Sequence, residues 1–260
     1  MTSVAILSTS RATDRVRTHA PAWVPGAVAL GALGYAVVAQ GAFYAGPRRA
    51  FTLALLVAGG SALVRGAVGS PRSRWWVLPG ALAAWALWCG AVASNLAGGA
   101  EWAALLLGLT GVARMAASAT DAERDRLVTG LLLASVFVAG TGWYGVVARR
   151  EPLGLVDGGL WRAASTLTYA NATAAFLAPI ALLALGRLSR DRTDRIAALA
   201  AFAGFVGIGA SQSRAGILGL AAGAVAFGLV RGLRATVSAV WPVSAGAAVA
   251  VAGLLPSTMG

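Results

Sequence analysis

The chain has 260 residues, of which 58% are hydrophobic and only 12% are charged. Ordinary soluble domains are about half apolar and about a quarter charged. The composition therefore excludes an ordinary soluble enzyme and indicates an integral membrane protein. The net charge of +12 does not indicate nucleic-acid binding, because every basic residue is Arg and the arginines are scattered in small groups between apolar runs.

The chain begins with a polar segment, residues 1–20, that contains three arginines and precedes the first long apolar run. Its one apolar stretch is too short for the core of a signal peptide. We interpret residues 1–20 as a polar tail in the cytoplasm. The rest of the chain, 21–260, is predicted to form one transmembrane helical domain.

Nine apolar runs follow in chain order, and most have the length of about 17 to 25 residues that a membrane-crossing helix needs. The pattern predicts an all-α fold, a polytopic bundle of about nine transmembrane helices. The runs cover 21–44, 50–68, 75–97, 101–119, 127–147, 169–187, 196–211, 214–230 and 235–255.

The distribution of arginines predicts the orientation of this bundle. Cytoplasmic loops carry an excess of Arg and Lys. With a cytoplasmic N-terminus, the inner side holds Arg11, Arg15, Arg17, Arg65, Arg72, Arg74, Arg114, Arg124, Arg126, Arg187, Arg190, Arg192, Arg195, Arg231 and Arg234. The outer side then holds only Arg48, Arg49, Arg149, Arg150, Arg162 and Arg214. This asymmetry favours an N-terminus inside, and it places the longest extramembrane stretch, about 148–168, outside.

The sequence offers no pattern for metal or triad chemistry. Cys89 lies in an apolar run and His19 lies in the polar tail, and each is the only residue of its type. No cluster of His, Cys and carboxylates has the spacing of metal ligands. We therefore expect no metal and no cofactor.

Arg214 lies between two apolar runs that are short for membrane helices. Fifteen helical residues span about 22 Å, whereas the hydrocarbon core is about 30 Å thick. The connection Ser211–Arg214 is therefore expected to lie below the membrane surface, in a recess lined by protein. An ionisable residue at that depth is a functional candidate, although an arginine at a helix end also snorkels to the interface.

A second polar segment precedes the sixth apolar run and contains Arg162, Thr166 and Asn171. Its hydroxyl groups can cap the helix and its amide can pack, or the segment can form a polar pocket at the outer mouth. Two arginines, Arg162 and Arg214, suit a diphosphate, because guanidinium groups are always charged and bind phosphate oxygens in pairs.

The two polar segments resemble those of the O-antigen ligase and O-antigen polymerase family. One segment has an Arg, a turn of small residues and Thr, and an Asn at a helix start. The other has the Ser-Arg-Ala order that opens the next long apolar helix. The resemblance spans about 125–255. The residues that carry it are Arg162, Ala163, Ala164, Ser165, Thr166, Leu167 and Asn171, followed by Ser211, Gln212, Ser213, Arg214, Ala215 and Gly216.

The resemblance implies a membrane glycosyltransferase of bacterial polysaccharide biosynthesis in the cytoplasmic (inner) membrane, with this chain as an N-terminal portion. Such an enzyme moves a glycan from undecaprenyl diphosphate to a lipid or glycan acceptor at the outer face, without metal or nucleotide. By resemblance, Arg162 and Arg214 are catalytic, and Asn171, Ser213 and Thr166 bind substrate. The alternatives are a membrane transporter or permease and a non-catalytic membrane scaffold.

Overall fold

The computed structural model describes residues 23–64 and 77–232, together with residues 244, 247–248 and 251–252. The described ranges contain eight long helices, each lying on one of the first eight predicted apolar runs. The ninth run lies largely outside the described residues. The helices are α1 Val24–Val38, α2 Ala45–Val64, α3 Val77–Val92, α4 Leu96–Ser118, α5 Asp121–Val147, α6 Ala170–Leu188, α7 Arg195–Ser211 and α8 Arg214–Arg231.

Four of these helices, α4, α5, α6 and α8, are long and apolar enough to cross a membrane. The helices α1 and α7 and the segment Leu78–Val92 of α3 are apolar but shorter. A helical bundle of membrane-protein composition is therefore confirmed. The count of nine spans and the cytoplasmic N-terminus stay predictions.

Apolar side chains occupy both the inside and the outside of the bundle. Leu132, Leu177 and Leu185 are fully buried where α5, α6 and α7 pack together. On the outside, Leu229 and Val230 of α8 are each 83% exposed. A soluble protein seldom exposes such a continuous apolar surface, whereas a bilayer solvates it.

The predicted outer loop contains an element that the sequence analysis did not predict. Strand β1 (Gly154–Asp157) pairs antiparallel with strand β2 (Leu160–Ala163). Their two-residue turn is Gly158-Gly159, and both glycines have positive φ angles of 62° and 79°. This is the turn chemistry that a tight hairpin requires, because only glycine adopts these angles without strain. The fold is thus all-α with one short hairpin.

Pairs of glycines bring helices into backbone contact in the first half of the chain. A Cβ atom added to Gly59 of α2 would lie 2.7 Å from the Cα atom of Gly111 in α4. A Cβ atom added to Gly90 of α3 would lie 2.8 Å from the Cα atom of Gly99 in α4. Small residues permit such close approach between membrane helices.

At one end of the bundle, a single arginine connects three helices. The Arg187 guanidinium of α6 donates to Thr129 Oγ1 at 2.8 Å and pairs with Asp125 Oδ1 of α5 at 3.2 Å. Its Nε lies 2.5 Å from Asp194 Oδ2, and Asp194 also caps α7. In the adjoining turn, hydrogen bonds from the Thr193 hydroxyl and amide hold the pKa of Asp191 below its usual value.

The other end of the bundle carries the hairpin. The hairpin, the start of α6 and the turn between α7 and α8 all lie there, because α5 and α7 run toward this end and α6 and α8 run away from it. The turn after α1 reaches the same end, since Gly41 approaches Leu167. This end therefore brings together the polar segments singled out in the sequence.

Candidate anion-binding site

Arg162 on β2 connects three elements at the hairpin end of the bundle. Its Nε donates to the Ser211 carbonyl oxygen at the end of α7, at 3.0 Å. Its Nη2 donates to Asn171 Oδ1 in the first turn of α6, at 3.3 Å. Its Nη1 pairs with the Asp157 carboxylate on β1. The structure therefore brings the two predicted polar segments into direct contact.

The first turn of α6 contributes polar groups to the same place. The Asn171 amide also donates to Tyr169 Oη at 3.2 Å, and both side chains are exposed. No side chain caps the start of α6. Its first backbone N–H groups therefore lack a side-chain acceptor from Tyr169, and the helix dipole favours negative charge there.

The turn between α7 and α8 has a fixed backbone. Gln212 takes a left-handed conformation (φ 50°), and its side-chain amide lies 3.5 Å from the Trp161 carbonyl oxygen. The buried Ser213 hydroxyl accepts a hydrogen bond from the Gly216 amide and so caps α8. The turn is tied to the hairpin on one side and to α8 on the other.

Arg214 is the first residue of α8 and is exposed. No hydrogen bond or ion pair joins its side chain to another described residue. It follows Ser211, the acceptor of Arg162, by three positions, so both guanidinium groups belong to the same end of the bundle. Arg214 is thus a cation without a protein counter-ion in the described part of the chain.

The 3-10 turn Ser165–Leu167 fixes the backbone between β2 and α6. Ser165 and Thr168 have positive φ angles of 59° and 58°, which cost energy for residues other than glycine. Thr173 of α6 donates to the Ala164 carbonyl oxygen at 2.5 Å and holds this turn. The Thr166 hydroxyl is buried and has no hydrogen-bond partner among the described residues.

Asp157 is a site residue that the sequence analysis did not select. Its carboxylate is paired with Arg162, although its side chain is 67% exposed. The signal was present in the sequence, because Asp157-Gly158-Gly159 between two short apolar stretches is typical of a tight hairpin. A hairpin there brings Asp157 back toward Arg162, five residues later.

The arrangement is suited to binding an anion with several oxygens. Two guanidinium groups and the uncapped start of α6 supply the donors, and Asp157 is an exposed carboxylate that an incoming anion can replace. Among the described residues, no group of three or more His, Cys, Asp and Glu side chains is placed to hold a metal ion. Fold and site together describe a helical membrane protein with Arg162 and Arg214 at one end of the bundle.

Comparisons of the chain with protein-family models, curated proteins and solved structures found no match. The resemblance to O-antigen ligases and polymerases therefore rests on the two polar segments, and membership of that family stays a prediction.

Proposed function

We propose that the protein is a membrane glycosyltransferase that moves a glycan from undecaprenyl diphosphate to a lipid or glycan acceptor. The observation that carries the proposal is the contact of Arg162 with Asn171 and with the Ser211 carbonyl oxygen. This contact joins the two segments on which the family resemblance rests. Two guanidinium groups at this end of the bundle suit the diphosphate of a lipid-linked sugar better than a neutral solute.

The chemistry required of the site is the stabilisation of a leaving group. The acceptor oxygen attacks the anomeric carbon of the sugar, and the bond from that carbon to the phosphate oxygen breaks. The diphosphate leaves with the electron pair, and the proton of the acceptor hydroxyl passes to the departing diphosphate. Arg162 and Arg214 would bind the departing diphosphate, whose negative charge grows in the transition state. The carrier is already activated, so this scheme includes no metal or nucleotide.

The other candidate residues have supporting roles in this scheme. Asn171 accepts a hydrogen bond from one edge of the Arg162 guanidinium and would orient the diphosphate or its sugar. Ser213 caps α8 and so fixes the position of Arg214. The Thr166 hydroxyl, which has no hydrogen-bond partner among the described residues, would bond to substrate once substrate is bound.

The proposal also fixes the location of the site. With about nine spans and a cytoplasmic N-terminus, the hairpin end faces outward from a bacterial cytoplasmic membrane. That is the side on which glycan-loaded undecaprenyl diphosphate is used by the family that the chain resembles.

The test is glycan transfer by purified full-length protein in liposomes, with undecaprenyl-diphosphate glycan as donor. We expect Arg162→Ala and Arg214→Ala each to lower the rate by about 100-fold or more, as removal of a preorganised charge stabiliser does. Arg162→Lys keeps the charge but loses the paired geometry, so its rate should fall between those of wild type and Arg162→Ala.

The matched control is Arg190→Ala, which removes an exposed arginine at the opposite end of the bundle. It should transfer glycan at the wild-type rate. Wild-type transfer by both Arg162→Ala and Arg214→Ala would overturn the site. Saturable solute uptake by the same liposomes, with no glycan transfer, would instead identify a transporter.

A further inference from the structure

A second charged cluster lies between the starts of α2 and α4, formed by Arg48, Arg49, Glu101 and Trp102 and called here the Arg48 cluster. The Glu101 carboxylate lies between the two arginines, 3.0 Å from Arg48 Nη2 and 2.6 Å from Arg49 Nε. The Arg48 guanidinium also lies over the Trp102 ring, 5.2 Å from its centroid. Two cations and one anion leave the cluster with one net positive charge.

A cavity of about 190 Å³ adjoins this cluster. Both arginines and Glu101 form its charged part, and the remaining lining is Thr52, Leu53, Leu56 and Ala104. From Arg48 to Leu56 the α2 helix rises about 12 Å, at about 1.5 Å per residue. The cavity therefore has charged residues where the helices begin, and its apolar wall continues from there toward the middle of the bundle.

One donor in the cluster is unsatisfied. Arg48 Nε is buried and has no hydrogen-bond partner among the described residues, although the other end of the guanidinium contacts Glu101 and the Phe43 carbonyl oxygen. A buried donor without an acceptor is unfavourable. An acceptor oxygen supplied from outside the chain would remove this cost.

We propose that the Arg48 cluster binds the phosphodiester headgroup of an anionic phospholipid, with an acyl chain of that lipid in the cavity between α2 and α4. The single negative charge of the headgroup matches the net positive charge of the cluster. Leu53 is 64% exposed and Leu56 is 39% exposed, so the apolar wall is open to the surrounding lipid. The cluster lies near the starts of α2 and α4, and the ends of membrane-crossing helices are where headgroups and interfacial Trp residues are found. The inference is independent of the glycosyltransferase proposal.

The test is native mass spectrometry of the full chain in detergent, with equal amounts of phosphatidylglycerol and phosphatidylcholine that carry the same acyl chains. We expect the population with one bound phosphatidylglycerol to exceed the population with one bound phosphatidylcholine by about fivefold. That ratio is the contribution of one arginine near an anionic lipid. Excess inorganic phosphate should not displace it, because phosphate has no acyl chain.

Two variants distinguish the contribution of the charge to lipid retention from the contribution of the cavity. Arg49→Gln removes the more exposed arginine, 70% exposed, and should abolish the preference for phosphatidylglycerol. Ala104→Leu leaves the charges intact but fills the cavity, and it should lower the retention of both lipids about fivefold or more. Arg190→Gln, at the opposite end, is the matched control and should behave as wild type. Circular dichroism establishes that each variant keeps its helices.

Equal retention of the two lipids by the wild-type protein would overturn the proposal without recourse to any variant. So would unchanged preference in Arg49→Gln, which would place the lipid elsewhere. Displacement by inorganic phosphate, together with wild-type retention in Ala104→Leu, would show that the cluster takes a free anion and not a lipid.

Discussion

Arg162 has both a fixed side and an exchangeable side. Its Nε bonds to a backbone carbonyl oxygen, that of Ser211, which does not move independently of α7. Its two terminal nitrogens bond instead to side chains, those of Asp157 and Asn171. The guanidinium plane is therefore oriented before a ligand binds, and only the contacts with the two side chains need to change when one does.

Asp157 should compete with the ligand for Arg162. Replacing it by Asn removes the competing charge, so Asp157→Asn is expected to bind pyrophosphate up to about fivefold more tightly, the range of an exposed ion pair. Isothermal titration calorimetry of the purified chain in detergent, at low salt, measures this change.

The control for this prediction is Asp191→Asn, which alters an exposed carboxylate at the other end of the bundle and should leave pyrophosphate affinity unchanged. Weaker binding by Asp157→Asn would mean that the carboxylate holds Arg162 in position instead of competing with the ligand.

The cationic residues of the candidate site were selected from the sequence, whereas their contacts are visible only in the structure. Arg162, Arg214 and Asn171 were selected because of their residue types and order. The bond from Arg162 to Ser211 joins residues 49 positions apart, so it depends on how α6 and α7 pack. The burial of the Thr166 hydroxyl, which finds no partner in the described part of the chain, likewise follows from packing and cannot be read from local sequence.

The hairpin owes its position to α5. A Cβ atom added to Gly145 would lie 2.2 Å from the Leu153 carbonyl carbon and 2.4 Å from the Gly154 nitrogen. The Gly145 carbonyl oxygen also accepts a hydrogen bond from the Arg150 amide at 2.9 Å. The strand that carries Asp157 therefore begins in contact with a helix backbone that has no side chain.

Gly145→Ala should push the hairpin away from α5 and thereby move Arg162. Overpacking of this kind costs about 1–3 kcal/mol, so the unfolding temperature and the pyrophosphate affinity should both fall. Gly140→Ala is the matched control on the same helix, because its Cβ would meet nothing within 4 Å.

Thermal unfolding in detergent and calorimetry check both variants. The expected result for Gly140→Ala is equal or greater stability, since alanine favours the helix over glycine. If Gly145→Ala retained wild-type stability and affinity, the hairpin would not depend on this contact.

Elements with strong hydrophobic runs were predicted well, whereas the irregular ones were not. The eight described helices coincide with apolar runs because burial and lipid exposure both demand long apolar segments. The hairpin and the turn at Ser165 depend on hydrogen bonds and on left-handed backbone angles, and of these only the Gly158-Gly159 turn leaves a signal in the sequence.

At the scale of the whole molecule, the two ends of the bundle differ in their arginines. Arg48, Arg49, Arg162 and Arg214 lie at the hairpin end, and Arg187 connects α5, α6 and α7 at the other end. The positive-inside tendency predicts that the Arg187 end faces the cytoplasm.

Cysteine labelling in intact cells tests this orientation. In a Cys89→Ala background, Arg150→Cys at the hairpin end should react with a membrane-impermeant maleimide, and Arg190→Cys at the Arg187 end should react only after the membrane is opened. The reverse pattern would place the N-terminus outside, and the candidate site would then face the cytoplasm.

The glycine contacts of α2, α3 and α4 have a consequence for the order of assembly. Gly59 meets Gly111 and Gly90 meets Gly99, so these three helices fit together through their backbones and need no partner from α6, α7 or α8. Domains and helices synthesised first can associate first. We expect a three-helix unit of α2, α3 and α4 to form in the membrane while the ribosome is still making α6, so that α6, α7 and α8, which pack on α5 and on one another, assemble separately from it.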